Sequence, residues 1–443
     1  MTKRLMYSVL LTALAVNLFF GAQVYLRSAE VAEKNDVYGN LRLFSLVLER
    51  VRNDYVDGEN LTYQDLIYGA LKGMLSTLDP HSEFMEPQKY DELKKDTEGK
   101  FGGVGIQVGL RGEYLTVIAP MDDTPASRAG IMSGDRILKI DGRSTEKISL
   151  TEAVNRMRGA PGTEVVLTVL RPSTGATKDH KLVRADIAVE TVKDIHGKRE
   201  FSVDDDKLGY VRLTQFGEAT GEELDRALKK LHDQKMRGLV LDLRNNPGGL
   251  LDQAAHVCER FVQPRQLVVT TEGRDPSERR EYRAGRRGER TTVPMVVLVN
   301  GGSASASEIV AGCLQDLKRA VVLGEKTFGK GSVQSIIPLQ DGAALRLTTA
   351  KYYTPSHKVI HEKGIEPDIV VPVPIEDADA LLLQRTPGLI ESLDAERQER
   401  FGAVRDIQLE RALDLLKGIT LYTHRAPDSD RRPDTKPMAA KAD

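Results

Sequence analysis

Between about Glu200 and Pro374 the chain repeats one pattern: a near-continuous aliphatic run, a turn, then an amphipathic helix. "LGYVRL" leads to "EELDRALKKLHDQK"; "GLVLDL" leads through "RNNPGG" to "LLDQAAHVCERFV". "QLVVTT" and "VPMVVLVN" follow, then a helix opened by three serines, then "AVVLGE". Runs that are apolar on both faces belong to a sheet covered on both sides, so this region is read as an α/β domain with a largely buried sheet. The stretch from Glu272 to Arg290 mixes acids among its arginines and is read as a solvated hairpin rather than an anion site.

The texture upstream is different. From Thr97 to Pro172, "FGGVGIQVGL", "EYLTVIAPM", "DRILKIDG" and "TEVVLTVLRP" read as short strands, with helices at "TPASRAG" and "SLTEAVNRMRG". From Asn40 to Met74 the spacing is helical, with Leu43, Leu46, Val47 and Val51 on one stripe and Leu66, Ala70, Leu71 and Met74 on another. Such stripes pack on themselves, on a partner or on a second copy. A helical segment is expected from Pro374 to about Ile419, followed by a polar, disordered tail. No fixed-period repeat is present.

The N-terminus puts Lys3 and Arg4 ahead of an apolar stretch from Leu5 to Gly21, the pattern of a secretory signal. No clean small-residue cleavage site follows, so the segment is either removed or kept as a short anchor. Export, and in a bacterium the periplasm, is the expectation. The composition is that of an ordinary globular protein: 443 residues, 40% hydrophobic and 29% charged. A net charge of -2 argues against a nucleic-acid partner. Cys258 and Cys313 are too few for a disulfide framework or an unaided zinc site, and are expected to be buried free thiols.

Chemistry concentrates at two turns. In "VNGGSASASEI" a strand ends at Asn300, two glycines turn the chain, and a helix starts among Ser303, Ser305 and Ser307. A hydroxyl there meets free first-turn amides and the positive end of the helix dipole, the setting acyl-transfer enzymes use for a nucleophile. Serine is also a favoured N-cap. "LVLDLRNNPGGLL" makes a similar turn, where Gly248 and Gly249 would offer backbone amides to an oxyanion. For the base, His256 reads as structural. His357 and His361 stand four apart without a third ligand, so no metal is expected. Lys326 and Lys330 remain, in "GEKTFGKGSVQSI"; Lys330, between glycines, would serve if a dry site lowered its pKa. Gln334 shares its face in an extended chain but would sit ~13 Å away in a regular strand, so the chain must bend if it is to orient the amine.

Together, "GSASASEIVAG", "GEKTFGKGSVQ", "DLRNNPGG" and "KGIEPDI" resemble the carboxyl-terminal processing peptidases, or tail-specific proteases, which are Ser-Lys endopeptidases with an internal PDZ domain. The resemblance runs from about Asn40 to Pro374. It implies Ser305 as nucleophile, Lys330 as base, Gln334 as its support, and Ala306 and Gly248 as oxyanion donors. It implies a PDZ domain that receives a C-terminal carboxylate on Gly103, Val104, Gly105 and Ile106, with Arg158 coupling capture to catalysis. The implied fold is multidomain α/β: a PDZ β-domain placed before a crotonase/ClpP-like serine protease core, with helical N- and C-terminal segments.

The expected divisions are 1–28 signal or anchor, 36–96 helical, 97–172 PDZ, 173–374 protease core, 375–424 helical extension and 425–443 tail. No cofactor is needed. The implied partners are protein substrates held by their C-termini, among them cell-wall hydrolases, a helical-repeat lipoprotein adaptor, and further copies of the chain. Two other readings compete: a non-catalytic PDZ scaffold, and a hydrolase using His357 or His361.

Overall fold

The computed structural model describes residues 36–425, apart from 59–60, 99, 112, 122–123, 133, 189, 286–289, 386–389 and 391–394. The expected signal or anchor and the tail from 426 onward lie outside the described residues. Among those described, no helix is long and apolar enough to cross a membrane. The chain divides into two compact units, Met1–Phe84 and Met85–Asp443.

In the first unit the two expected helices span Val37–Asp54 and Tyr63–Ser76. Thr62 starts the second: its hydroxyl accepts from the Asp65 amide, and the Asp65 carboxylate accepts from the Thr62 amide. The first helix buries no residue. Leu43, Leu46 and Val47 of its stripe are each more than half exposed.

In the second unit the helix Pro87–Glu98 leads into the β-domain. Strands Ile106–Arg111, Tyr114–Pro120, Arg136–Ile140, Glu164–Arg171 and Ala176–Val183 form one antiparallel sheet in the order written. Its core joins Leu115, Val117, Ile137, Val165 and Leu167 to Ala153 and Met157 of the helix Leu150–Met157. The sheet runs past the expected limit at Pro172, because Ala176–Val183 completes it. Six of that strand's eight residues are exposed, so polar side chains masked it in the sequence. Lys100–Gly103 and Ala185–Ala188, the segments entering and leaving the domain, pair with each other.

The expected α/β core follows. Its sheet orders Val192–Lys193, Leu208–Leu213, Gly238–Asp242, Met295–Val299, Val321–Gly324 and Ile369–Val370; the first strand is antiparallel and the rest parallel. Every residue of the three central strands is buried. Helices Thr220–Asp233, Leu251–Glu259 and Ala306–Asp316 pack on one face. Leu409, Ala412 and Leu416 of the helix Ile407–Arg425 cover the other, against Tyr210, Val240, Val296 and Leu298. Cys258 and Cys313 are buried and free.

"QLVVTT" departs from the expected run of strands. Leu267–Gly273 leaves the parallel sheet for a second, antiparallel one with Arg280–Arg283, Ser332–Pro338 and Ala344–Tyr353. The mixed-charge stretch forms the hairpin between the first two, where Arg279 and Arg283 pair with Glu272 and Glu281.

Candidate active site

Two parallel strands carry the two motif turns to the same level. Asp242 lies opposite Leu298, so the chain leaves Gly238–Asp242 and Met295–Val299 side by side. The turns are then tied together. Asn245 donates its amide to Asn300 Oδ1 at 2.8 Å, and Asn300 Nδ2 donates to Asn245 Oδ1 at 2.9 Å. Ser303 Oγ donates to the Leu243 carbonyl at 2.8 Å and Ser307 Oγ to the Asn246 carbonyl at 2.9 Å. The outer serines of the triplet therefore bind the neighbouring turn, which leaves Ser305 between them.

Ser305 stands where the turn becomes helix, with φ 55° and ψ −113°. A non-glycine residue held there costs about 1–3 kcal/mol, a strain that clusters at functional sites. Ala306 begins the helix, and its amide has no acceptor among the described residues. The glycine turn closes on this point. At Gly248, φ is +100°, and a Cβ would lie 2.8 Å from Ser305 Cβ and 3.0 Å from the Ala306 nitrogen. Only glycine admits that approach. Gly249 instead backs onto the Phe216 carbonyl. The Gly248 amide, however, is already donated to Asn246 Oδ1 at 2.9 Å.

The lysine loop is held to the serine by a residue the motif reading passed over. Glu308, in the first turn of the helix, is fully buried. Its Oε2 accepts from the Ser305 amide at 2.8 Å and the Lys330 amide at 2.9 Å. Its Oε1 accepts from the Gly329 amide at 2.7 Å and from Thr327 Oγ1 at 2.5 Å. One carboxylate thus spans both candidate segments. Burial raises its pKa, and these hydrogen bonds oppose the rise. The available signal was an acid directly inside an otherwise small and apolar helix start.

Lys330 is half-buried. Desolvation first, and then the charge of Arg346, pull its pKa below the ordinary lysine value. Lys326 is exposed and paired with Glu366. The Lys330 ammonium has no hydrogen-bond or ion-pair partner among the described residues. The strand Ser332–Pro338 carries a bulge between Val333 and Gln334, beyond the glycines that flank Lys330. It does not deliver Gln334 to the amine: Gln334 Nε2 donates to Ser332 Oγ at 2.9 Å and Thr348 Oγ1 at 3.3 Å. Two of the histidines lie elsewhere: His256 is exposed, and His357 Nε2 is 2.9 Å from Glu272 Oε1. His361 packs against the lysine loop, where a Cβ on Gly331 would lie 2.1 Å from its backbone nitrogen. Its Nδ1 is buried without a hydrogen-bond partner among the described residues, and its Nε2 is 3.9 Å from the Glu362 carboxylate. Among the described residues, no three histidines, cysteines or acids are placed to hold a metal.

In the β-domain, Gly103, Val104, Gly105, Ile106 and Arg158 all line one cavity of about 220 Å³, together with Phe101. Ile106–Arg111 is the outermost strand of its sheet and faces the helix Leu150–Met157 across this groove. The Val104 and Gly105 carbonyls turn away to accept the Ala126 and Met121 amides. Gly105 has φ +74°, and a Cβ there would meet Thr124 at 2.3 Å. The Arg158 guanidinium sits over the Phe101 ring, 4.8 Å from its centroid.

Comparison with known proteins agrees with this architecture. Residues 207–371 match peptidase family S41, and residues 116–171 match the PDZ domain. A carboxy-terminal-processing protease of Bartonella bacilliformis is 41% identical over 431 residues, 93% of this chain and 97% of the relative. A carboxyl-terminal-processing protease of Synechocystis is 36% identical over 94% of this chain and 95% of its own. A solved S41 protease structure from Bacteroides fragilis, 18% identical, shares the fold over 84% of this chain and 97% of its own, with a TM-score of 0.51. The chain is therefore a serine peptidase of family S41. Within that family it belongs with the carboxy-terminal processing proteases.

Proposed function

We propose that this protein is an exported endopeptidase that takes C-terminal tails into its PDZ groove and cleaves the captured chain through an acyl-enzyme on Ser305. The observation that carries the reading is the shared carboxylate: Glu308 holds the Ser305 and Lys330 backbones at one point, beside a turn that only glycine could make. Ser305 Oγ attacks the scissile carbonyl carbon and Lys330 Nζ, neutral, takes the proton. The developing oxyanion meets the Ala306 amide and the Gly248 turn. Because Asn246 already engages the Gly248 amide, the oxyanion must share or displace that acceptor. The tetrahedral species collapses as the leaving amine takes the proton from Lys330. Water, deprotonated by the same lysine, then attacks the acyl carbonyl, and Ser305 Oγ departs as it takes that proton back from Lys330.

Capture follows from the groove. An extended tail adds beside Ile106–Arg111, and its carboxylate rests on amides of the Gly103–Ile106 loop. A lining of Phe101, Ile106, Val108, Val154 and Met157 favours an apolar final residue. Arg158 at its rim couples occupancy to the core. The Lys330 amine, unpartnered among the described residues, and the Gln334 amide, bound to Ser332 and Thr348, support a resting state that completes its site when a tail or an adaptor binds. The basic-apolar N-terminus supports export to the periplasm. Cell-wall hydrolases as substrates, a helical-repeat lipoprotein as adaptor and self-association complete the reading, and the exposed stripe of Val37–Asp54 supports the last.

The test is digestion of a loosely folded protein with an exposed tail by the wild type, Ser305→Ala and Lys330→Ala. Cleavage by the wild type alone is expected. Equal disappearance of the substrate in all three ends the reading, and activity in Lys330→Ala that a His357 or His361 substitution abolishes transfers it to a histidine base.

A further inference from the structure

The S41 match stops at residue 371, yet the root of the oxyanion turn is closed by residues beyond it. Arg244 immediately precedes the "NNPGG" turn, and only 2% of its side chain is exposed. A guanidinium has five N–H donors in a rigid plane, and here all of them are used. Nε and Nη2 donate to Asp242, with Nη2 to Oδ2 at 2.6 Å. Nη1 donates to Asp406 Oδ1 at 2.8 Å and Gln408 Oε1 at 3.0 Å, and Nη2 also reaches Asp406 Oδ2 at 3.0 Å. Arg385 pairs with Asp406 and lies 3.9 Å from Asp242, whose carboxylate also accepts from the Tyr210 hydroxyl at 2.7 Å and the Arg244 amide at 2.9 Å.

Two arginines and two aspartates thus form a buried ring, half of it supplied from outside the matched core. Arg212, opposite Asp242 on the neighbouring strand, adds a third positive charge beside it. Burial disfavours the charge on both aspartates, but the arginines hold both carboxyls below the ordinary range. Removing one member strands the others in a dry site, so the ring is all-or-none. From it the chain passes directly through Asn245, held at φ 57° and paired with Asn300, to Gly248 against Ser305.

We propose that Arg385, Asp406 and Gln408 of the C-terminal extension are positioning residues of the catalytic site, acting through Arg244 to fix the oxyanion turn against Ser305. The inference rests on the Ser305 and Gly248 assignments above. It makes the C-terminal extension part of the catalytic apparatus as well as a cover for the sheet.

The test uses the full chain with Asp406→Asn, the milder Gln408→Ala, Asp406→Glu for rescue, and Leu413→Ala, which loosens the same helix with the ring intact. Readouts are kcat, KM, the affinity of a peptidyl boronate that mimics the tetrahedral adduct, and the folded fraction at the assay temperature. Asp406→Asn should lower kcat and boronate affinity together by about tenfold or more with KM within about twofold. Gln408→Ala should do so by a few-fold, Asp406→Glu should recover part of the loss, and Leu413→Ala should lower only the melting temperature. The inference is overturned if folded Asp406→Asn or Gln408→Ala retains full kcat, or if Leu413→Ala loses kcat to the same extent. Ser305→Ala separates the two failures: if it stays active the catalytic assignment has failed, and if it is inactive beside a fully active Asp406→Asn only the positioning role has.

Discussion

Replacing Glu308 with glutamine probes the junction on which the proposed dyad hangs. The carboxylate accepts four hydrogen bonds, two on each oxygen. Glutamine keeps one acceptor oxygen and turns an NH2 group toward two donors. If the oxygen stays with Thr327 and Gly329, the amides of Ser305 and Lys330 lose their acceptor. Hydrogen bonds to a charged group contribute about 1.5–3 kcal/mol each, so the loss is at least about 3 kcal/mol before relaxation. At about 2–4 °C per kcal/mol for a domain this size, the melting temperature should fall by about 6–12 °C. Activity should fall with stability, because the unsatisfied pair consists of the backbone amides of the proposed nucleophile and base; a comparable loss of about 2.7 kcal/mol in the transition state lowers kcat about 100-fold. Thermal unfolding and tail-substrate kinetics, both run well below the transition, read the two effects separately. A variant with wild-type melting temperature and kcat would show that the shared carboxylate neither supports the fold there nor aligns the site.

Three further substitutions test other parts of the site. Arg346→Gln removes the positive charge that helps depress the Lys330 pKa, so that pKa should rise; because the base must be neutral, the acid limb of the kcat/KM profile should move to higher pH, and an unmoved limb would separate the lysine from the titration. Gly248→Ala forces a Cβ to 2.7 Å from the Ala304 carbonyl oxygen and 2.8 Å from Ser305 Cβ at a φ of +100°, and should reduce kcat by about 100-fold or more with the protein still folded by circular dichroism. Gly105→Ala drives a methyl into Thr124 and should weaken binding of a fluorescent C-terminal peptide by about tenfold or more, while labelling of Ser305 by a small fluorophosphonate is unchanged.

The readable part of the sequence was the part with local causes. Strands buried on both faces advertise themselves as aliphatic runs, and "GLVLDL" and "VPMVVLVN" became adjacent parallel strands. Glycine turns at their ends marked the site. Ala176–Val183 escaped because a strand with six exposed residues has no apolar period to detect. Glu308 and Arg244 escaped for a different reason. Each is a charged residue whose meaning lies in partners far along the chain: Thr327 and Lys330 for one, Asp406 and Gln408 for the other. Composition and spacing carry no trace of such pairings. Gln334 could not be placed by spacing alone, since strand irregularity and cross-strand partners decide where its amide points, here to Ser332 and Thr348.

The level exit of Gly238–Asp242 and Met295–Val299 has one more consequence. Side chains along a strand alternate faces, so inserting or deleting one residue in either strand moves its turn by about 3.3 Å and inverts everything after it. Asn245 would then miss Asn300, and the outer serines would miss the carbonyls they now hold. The geometry of the candidate site is in this sense written as a phase between two strands, which makes these ten core residues intolerant of length change.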